Sequence, residues 1–299
     1  MADAIRFDAL TKRYGRNRGV EELSFAVAAG EVFGYLGPNG AGKTTTIRVL
    51  LDLIRPTSGS VTVLGLDAQR DSLAVRRRVG YIPGDLALYD RLTPRELLRY
   101  FASLQGGVAP GRIAALAERF ELELDRSIRD LSRGNRQKVG LVQAFAHEPE
   151  LLVLDEPTSG LDPLMQHEFS ALLRETVADR RTVFLSSHVL SEVQQVADRV
   201  GIVREGRLVA IEDVASLRQK AVRQLEIRFA DGVPAEELAA VAGVRDLETT
   251  GADARLVVEG TLDPLLKALA RHQVLDLRSR EPDLEEVFLA YYEAPDAAA

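Results

Sequence analysis

The segment Gly37-Pro38-Asn39-Gly40-Ala41-Gly42-Lys43-Thr44 constrains this chain more than any other part of it. It fits the pattern G-x-x-x-x-G-K-[ST], and it follows the apolar run Val32 to Leu36 and opens the helical run Thr45 to Leu53. A strand that feeds through a glycine loop into a helix brings backbone N–H groups and the positive end of the helix onto a phosphate. Glycine lets the main chain come that close, Lys43 reaches the β and γ phosphates, and the Thr44 hydroxyl is a ligand for Mg²⁺. The cradle therefore comprises Gly37, Pro38, Asn39, Gly40, Ala41, Gly42, Lys43, Thr44 and Thr45. It demands a strand–loop–helix unit, which places the chain in the α/β class.

The pattern around this loop agrees. Short apolar runs at Val32 to Leu36, Val79 to Ile82, Leu151 to Leu154 and Val183 to Leu185 alternate with helical segments, as in a largely parallel sheet. The runs Ala4 to Phe7, Leu23 to Val27 and Val61 to Leu64 are joined by turns too short for a crossover helix, so they predict an outlying antiparallel sheet. Thr93-Pro94-Arg95-Glu96 reads as an N-cap, a proline at the first helical position and an acidic first turn, and opens a helical insertion spanning about residues 85–150. A break near Asp213 to Arg223 separates a first domain, 1–215, from a second, 216–299. In the second the predicted order is strand 225–229, helix 234–240, strands 244–248 and 254–258, helix 262–270 and strand 274–277, the split βαβ pattern of a ferredoxin-like α+β unit. A last helix is expected from Asp283 to Tyr292.

Composition removes several functions. With no cysteine and four scattered histidines, thiolate zinc sites and paired-histidine metal sites are out, so any metal is held by oxygen. No apolar run approaches the roughly 18 residues of a membrane helix, and the N-terminus lacks the pattern of a secretory signal, which predicts a cytoplasmic chain. From Val222 onward acidic residues outnumber basic ones two to one, against a net charge of −7 overall. An acidic module does not grip nucleic acid by charge, so no nucleic-acid partner is expected.

A second motif stands downstream. Leu151-Leu152-Val153-Leu154-Asp155-Glu156 is an apolar strand ending in two carboxylates. Asp155 is positioned to hold Mg²⁺, and Glu156, one residue on, to polarise an attacking water. Leu131-Ser132-Arg133-Gly134-Asn135-Arg136-Gln137 resembles the ABC signature LSGGQ-x-Q, Ser159-Gly160-Leu161-Asp162 resembles the D-loop, and Ser187-His188 the switch histidine. Together these segments resemble the ATP-binding subunits of ABC transporters over the first 215 or so residues. With the closing Glu281-Pro282-Asp283-Leu284-Glu285-Glu286-Val287-Phe288, the chain looks most like the subgroup that powers bacterial exporters of drugs, antibiotics and lipid-like molecules.

The resemblance implies a P-loop ABC ATPase fold, ATP and Mg²⁺ as cofactors, a head-to-tail dimer with itself or a similar chain, and a separate membrane permease on whose inner face the subunit sits. It implies catalytic roles for Lys43, Glu156 and His188, magnesium ligation by Thr44 and Asp155, adenine stacking by Tyr14, and contact of Ser132, Gly134 and Asp162 with the nucleotide of the partner. His147, His167 and His272 read as surface residues. One position departs: Gly84 stands where the family's Q-loop carries Gln, which predicts a loop from Gly84 to Leu88 weakly coupled to the nucleotide. The alternative function, a soluble ABC ATPase acting on a ribosome or nucleic acid, calls for paired cassettes or a long coiled-coil insertion. This chain shows one P-loop and no heptad run.

Overall fold

The computed structural model describes residues 2–220 and 223–280. The chain divides into two compact units, Met1–Ile211 and Glu212–Ala299. The expected helix from Asp283 to Tyr292 lies outside the described residues.

The first unit opens with a long hairpin, β1 (Asp3–Tyr14) and β2 (Asn17–Ala28), whose last pair is Tyr14 with Asn17. β3 (Val32–Leu36) leads into α1 (Lys43–Leu50), followed by β4 (Ser58–Val63), β5 (Leu66–Asp67), α2 (Ser72–Arg77) and β6 (Val79–Ile82). The helical insertion contributes α3 (Pro94–Leu104), α4 (Arg112–Arg119) and α5 (Arg133–Ala146). The chain then returns through β7 (Leu151–Asp155), α6 (Pro163–Ala178), β8 (Thr182–Ser187), α7 (Leu190–Gln194), β9 (Arg199–Arg204) and β10 (Arg207–Asp213).

Two sheets result. The antiparallel one has the order β2-β1-β4-β5, and the other runs β10-β9-β3-β8-β7-β6. Within the latter β9, β3, β8, β7 and β6 are parallel neighbours, so their carboxyl ends lie along one edge. β3, β7 and β8 are buried at every position, which is why they read as unbroken apolar runs rather than as alternation. β9 and β10 escape that reading because polar residues interrupt them: Arg199 and Arg204 bound β9, and the turn at Glu205-Gly206 precedes a half-buried β10.

The two sheets share one core in which aromatic rings interlock. Phe7 stacks on Phe25 at 4.4 Å, Phe25 on Phe33 at 5.6 Å, and Phe33 on Phe184 at 5.9 Å between centroids. Phe7 and Phe25 come from the antiparallel hairpin, Phe33 and Phe184 from the parallel sheet, so these contacts bind the layers together. Tyr35 completes the cluster, and its hydroxyl lies 3.3 Å from Thr46 Oγ1 on α1, with burial holding the phenol well above its ordinary pKa. The helix behind the glycine loop is thus fixed against the sheet.

The caps expected for the insertion are present. Thr93 accepts from Glu96 N while Glu96 accepts from Thr93 N, a capping box with Pro94 at the first helical position. The second unit differs at its start, where α8 (Val214–Lys220) occupies the segment read as a break. Its remaining elements are β11 (Arg223–Phe229), α9 (Ala235–Ala239), β12 (Val244–Thr250), β13 (Asp253–Val258), α10 (Asp263–Leu269) and β14 (Val274–Arg280). The sheet order β12-β13-β11-β14, with antiparallel pairs throughout, is the ferredoxin-like arrangement.

The aromatic cluster sets a stability test. Phe184→Ala removes a fully buried ring shared by both sheets, and it should cost roughly 3–5 kcal/mol. In a thermal unfolding scan this is a fall of roughly 10 °C in Tm.

Candidate nucleotide site

The glycine loop lies at the carboxyl edge of the parallel sheet, between the end of β3 and the start of α1. Two glycines are sterically required. A Cβ at Gly37 would stand 2.4 Å from Val203 O, and one at Gly42 2.7 Å from Val20 Cγ1, where a φ of +105° already excludes most side chains. The loop is wedged between β2 and β9, with Gly206 N donating to Ala41 O, and its free side is the cleft.

A cleft of about 460 Å³ opens there. Tyr14, Pro38, Asn39, Gly40, Gly42, Lys43, Thr44, Thr45 and Glu156 all line it, so most of the residues singled out from sequence are brought together. Tyr14 is the last residue of β1 rather than a loop residue, and Lys12 Nζ sits 5.3 Å from its ring centroid. Arg18, Arg48 and Tyr81 also line the cleft and were missed. Arg48 lies four residues past Thr44 on α1 and so shares that residue's helix face, and this spacing is the signal that could have found it.

Three groups converge at the sheet edge. Lys43 Nζ donates to Gly37 O at 2.6 Å and Pro38 O at 3.3 Å and lies 3.3 Å from Glu156 Oε1. The ammonium is almost fully buried, and that last contact lacks hydrogen-bond alignment, leaving Glu156 Oε1 buried without a donor. Glu156 Oε2 is 2.8 Å from His188 Nδ1. Glu156 itself has a φ of +51°, a left-handed conformation for a side chain with a Cβ, and such residues hold about 1–3 kcal/mol of strain where surrounding contacts enforce them. His188 follows β8, and Glu156 follows β7, so adjacent parallel strands set their separation.

Asp155 is completely buried at the end of β7. Its Oδ2 accepts from Thr44 Oγ1 at 2.8 Å, and its Oδ1 accepts from Ser186 Oγ. A hydroxyl and a carboxylate oxygen in contact at the cleft wall are hard donors of the kind Mg²⁺ takes, so the residues present fit that ion. Burial and the Asp155 charge together push the Tyr81 phenol up to about 12. Gly84 faces the same carboxylate, since a Cβ there would lie 3.2 Å from Asp155 Oδ2. The loop therefore runs against the Asp155 carboxylate at the one place where it carries no side chain of its own.

Ser132, Gly134 and Asp162 do not line this cleft. Ser132 is the N-cap of α5, accepting from Asn135 N at 3.2 Å, and Gly134 lies inside the first turn of that helix. A Cβ at Gly134 would meet Gly160 O at 2.5 Å, and Arg133 donates to Ser159 Oγ at 2.8 Å, so the two loops are in direct contact. Asp162 caps α6 by accepting from Met165 N at 3.0 Å. Among the other histidines, His167 is exposed as expected. His147 and His272 are half-buried: burial lowers the pKa of His147, whose Nε2 has no partner, and His272 pairs with Glu237 at 2.7 Å.

A second cavity, about 250 Å³, is walled by apolar residues of the turn after α1 and of β6, α3 and α5, among them Leu51, Val79, Leu98, Phe101 and Leu104. His147 and Gln143 close one side, and Tyr81 lines both this groove and the nucleotide cleft.

The comparisons with known proteins match this geometry. The ABC transporter family model matches residues 20–159. The bacitracin transport ATP-binding protein of Bacillus licheniformis is 39% identical over 234 residues, covering 77% of this chain and 76% of that one. The chain belongs to the ABC transporter ATP-binding proteins. The daunorubicin resistance ATP-binding protein of Streptomyces coeruleorubidus is 36% identical over 306 residues, covering 97% of this ABC protein and 96% of the relative, so that likeness extends through the second unit. Among solved structures, the ATP-binding subunit of an ABC transporter aligns with a TM-score of 0.67 at 32% identity, covering 72% of this chain and 92% of the other. This ABC protein is an ATPase.

Lys43 is the direct test of the cleft. Lys43→Ala removes the buried cation while leaving the glycine cradle, and should weaken binding of a nucleoside triphosphate by about a hundredfold or more in calorimetric titration, or roughly 2.7 kcal/mol.

Proposed function

We propose that this chain is the subunit that binds and hydrolyses ATP to energise export of a small molecule, a drug, antibiotic or lipid-like compound, through a separate membrane permease. The observation that carries the chemical part is the contact of Glu156 with both Lys43 and His188 at the edge where the glycine loop opens. The export part rests on relatives named for bacitracin transport, daunorubicin resistance and Nod factor export, at 39%, 36% and 35% identity.

In this reading the backbone of Gly40 to Thr44 and the N-terminus of α1 bind the phosphates, and Lys43 leaves its carbonyl partners to neutralise their charge. The Tyr14 ring flanks the base. Thr44 and Asp155 hold Mg²⁺, which when bound offsets charge on the phosphate oxygens. Glu156 accepts a proton from the attacking water, and its carboxylate is held by the Nδ1–H of His188, which orients it. Ser132, Gly134 and Asp162, set apart from the cleft of their own chain, serve the nucleotide of a second copy or similar chain in a head-to-tail dimer.

No helix among the described residues is long and apolar enough to cross a membrane, and in this reading a separate permease supplies the translocation path. The groove between the turn after α1, β6, α3 and α5 receives a helix of that permease, at the cytoplasmic face of the membrane. Its exposed rim of Leu53 and Leu104, 49% and 60% accessible, provides the apolar surface such a helix buries. The second unit contributes partner or dimer contacts rather than chemistry.

Glu156→Gln should bind ATP with little change and lose hydrolysis by about a hundredfold or more, trapping a dimer visible by size-exclusion chromatography with ATP and Mg²⁺. Asp85→Ala removes an exposed cleft side chain and should lower turnover less than about tenfold, or roughly 1.4 kcal/mol. A larger loss would give Asp85 the role vacated at Gly84.

A further inference from the structure

The left-handed conformation of Glu156 has to be enforced from outside, because nothing in a glutamate favours it. The turn that follows is restrained at three consecutive points. Ser159 N donates to Glu156 O at 3.2 Å, Gln137 of α5 donates to Pro157 O at 2.8 Å, and Thr158 Oγ1 donates to Glu192 Oε2 at 2.6 Å. The last of these crosses between loops. Glu192 lies on α7, four residues beyond His188, and its Oε2 also receives Ser187 Oγ at 3.5 Å. Ser187 Oγ in turn accepts from Val189 N at 3.0 Å, so the residues on both sides of His188 are tied to the same point.

We propose that Glu192 is a positioning residue for hydrolysis: through Thr158 it braces the turn carrying Glu156 against the loop carrying His188. A hydroxyl donating to a half-buried carboxylate at 2.6 Å is a charge-assisted bond, stiffer than the neutral contacts around it. It joins the loops two residues after Glu156 and four residues after His188, and the direct 2.8 Å contact of those two side chains closes the loop of constraints. Glu192 touches neither the cleft nor its lining, so its effect falls on the placement of Glu156 and not on nucleotide binding. Thr158 is the third residue of Glu156-Pro157-Thr158, and Glu192 the fifth of His188-Val189-Leu190-Ser191-Glu192, and neither was singled out from sequence.

The inference rests on Glu156 acting on the attacking water, and the test separates the two. In the full chain with ATP and Mg²⁺, Glu192→Ala should lower kcat by about tenfold or more while KM for ATP stays within about twofold, because misplacing a catalytic group costs turnover rather than affinity. Glu192→Gln keeps an acceptor oxygen toward Thr158 and should restore kcat to within about threefold of the parent. Thr158→Val deletes the same bond from its other end, should match the loss in Glu192→Ala, and should add little to it in the double variant. If Glu192→Ala does not fold, the Thr158→Val and Glu192→Gln pair carries the same comparison. An unchanged kcat in Thr158→Val, additive losses, a failure of Gln to rescue, or a loss residing in KM would each overturn the proposal. Glu156→Gln is measured beside them: if it turns over normally the catalytic reading itself falls, whereas loss there with an unaffected Thr158→Val sinks only the role of Glu192.

Discussion

Everything at the sheet edge depends on one buried carboxylate. Taking Asp155 out of water is costly unless its oxygens are bonded, and here two hydroxyls meet them, Thr44 from the helix after the glycine loop and Ser186 from the neighbouring strand. The pair of bonds joins α1, β7 and β8 at one point. Because Glu156 is the next residue and Ser187-His188 follows Ser186, the Glu156 and His188 side chains inherit their positions from this junction. The aromatic cluster of Phe7, Phe25, Phe33, Tyr35 and Phe184 supports it from beneath, keeping α1 pressed to the sheet through Tyr35 and Thr46.

How much of this was legible in the sequence follows from the range of the contacts. The glycine loop was readable because strand, loop and helix are contiguous and each glycine has a local steric duty. β3, β7 and β8 were readable because burial on both faces writes a continuous apolar run. β9, β10 and α8 were not, since their apolar content is broken by arginines, turns and exposed positions, and they are held by tertiary neighbours rather than by their own pattern. The same logic divides the site. Lys43, Thr44, Asp155, Glu156 and His188 belong to short motifs, Gln137 closes the signature-like segment and Arg48 sits one helical turn past Thr44, whereas Arg18 and Tyr81 enter through packing between segments far apart in sequence, which no spacing rule encodes.

Gly84 illustrates how a departure from a motif acquires meaning only in three dimensions. From sequence it is the loss of a side chain. In the fold, the position is close enough to the Asp155 carboxylate that a side chain would have to share its space. The carboxylate has Thr44 and Ser186 as its partners, and its charge adds to burial, the larger cause, in raising the nearby Tyr81 phenol to about 12. The polar side chains on this wall of the cleft are Tyr81 from β6 and Asp85 from the loop beyond it.

The longest consequence belongs to α5. Its first turn is capped by Ser132, Gln137 near its middle grips the carbonyl after Glu156, and Gln143 near its end, followed by His147, faces the apolar groove. Fourteen residues of α-helix make a rod about 21 Å long. A tilt of about three degrees about Gln137 moves the groove end of this rod by about 0.7 Å and its capped end by about 0.3 Å. Held at Gln137 by the Pro157 carbonyl, α5 is a lever whose pivot lies beside Glu156: leaning on the groove end reorients the capped end.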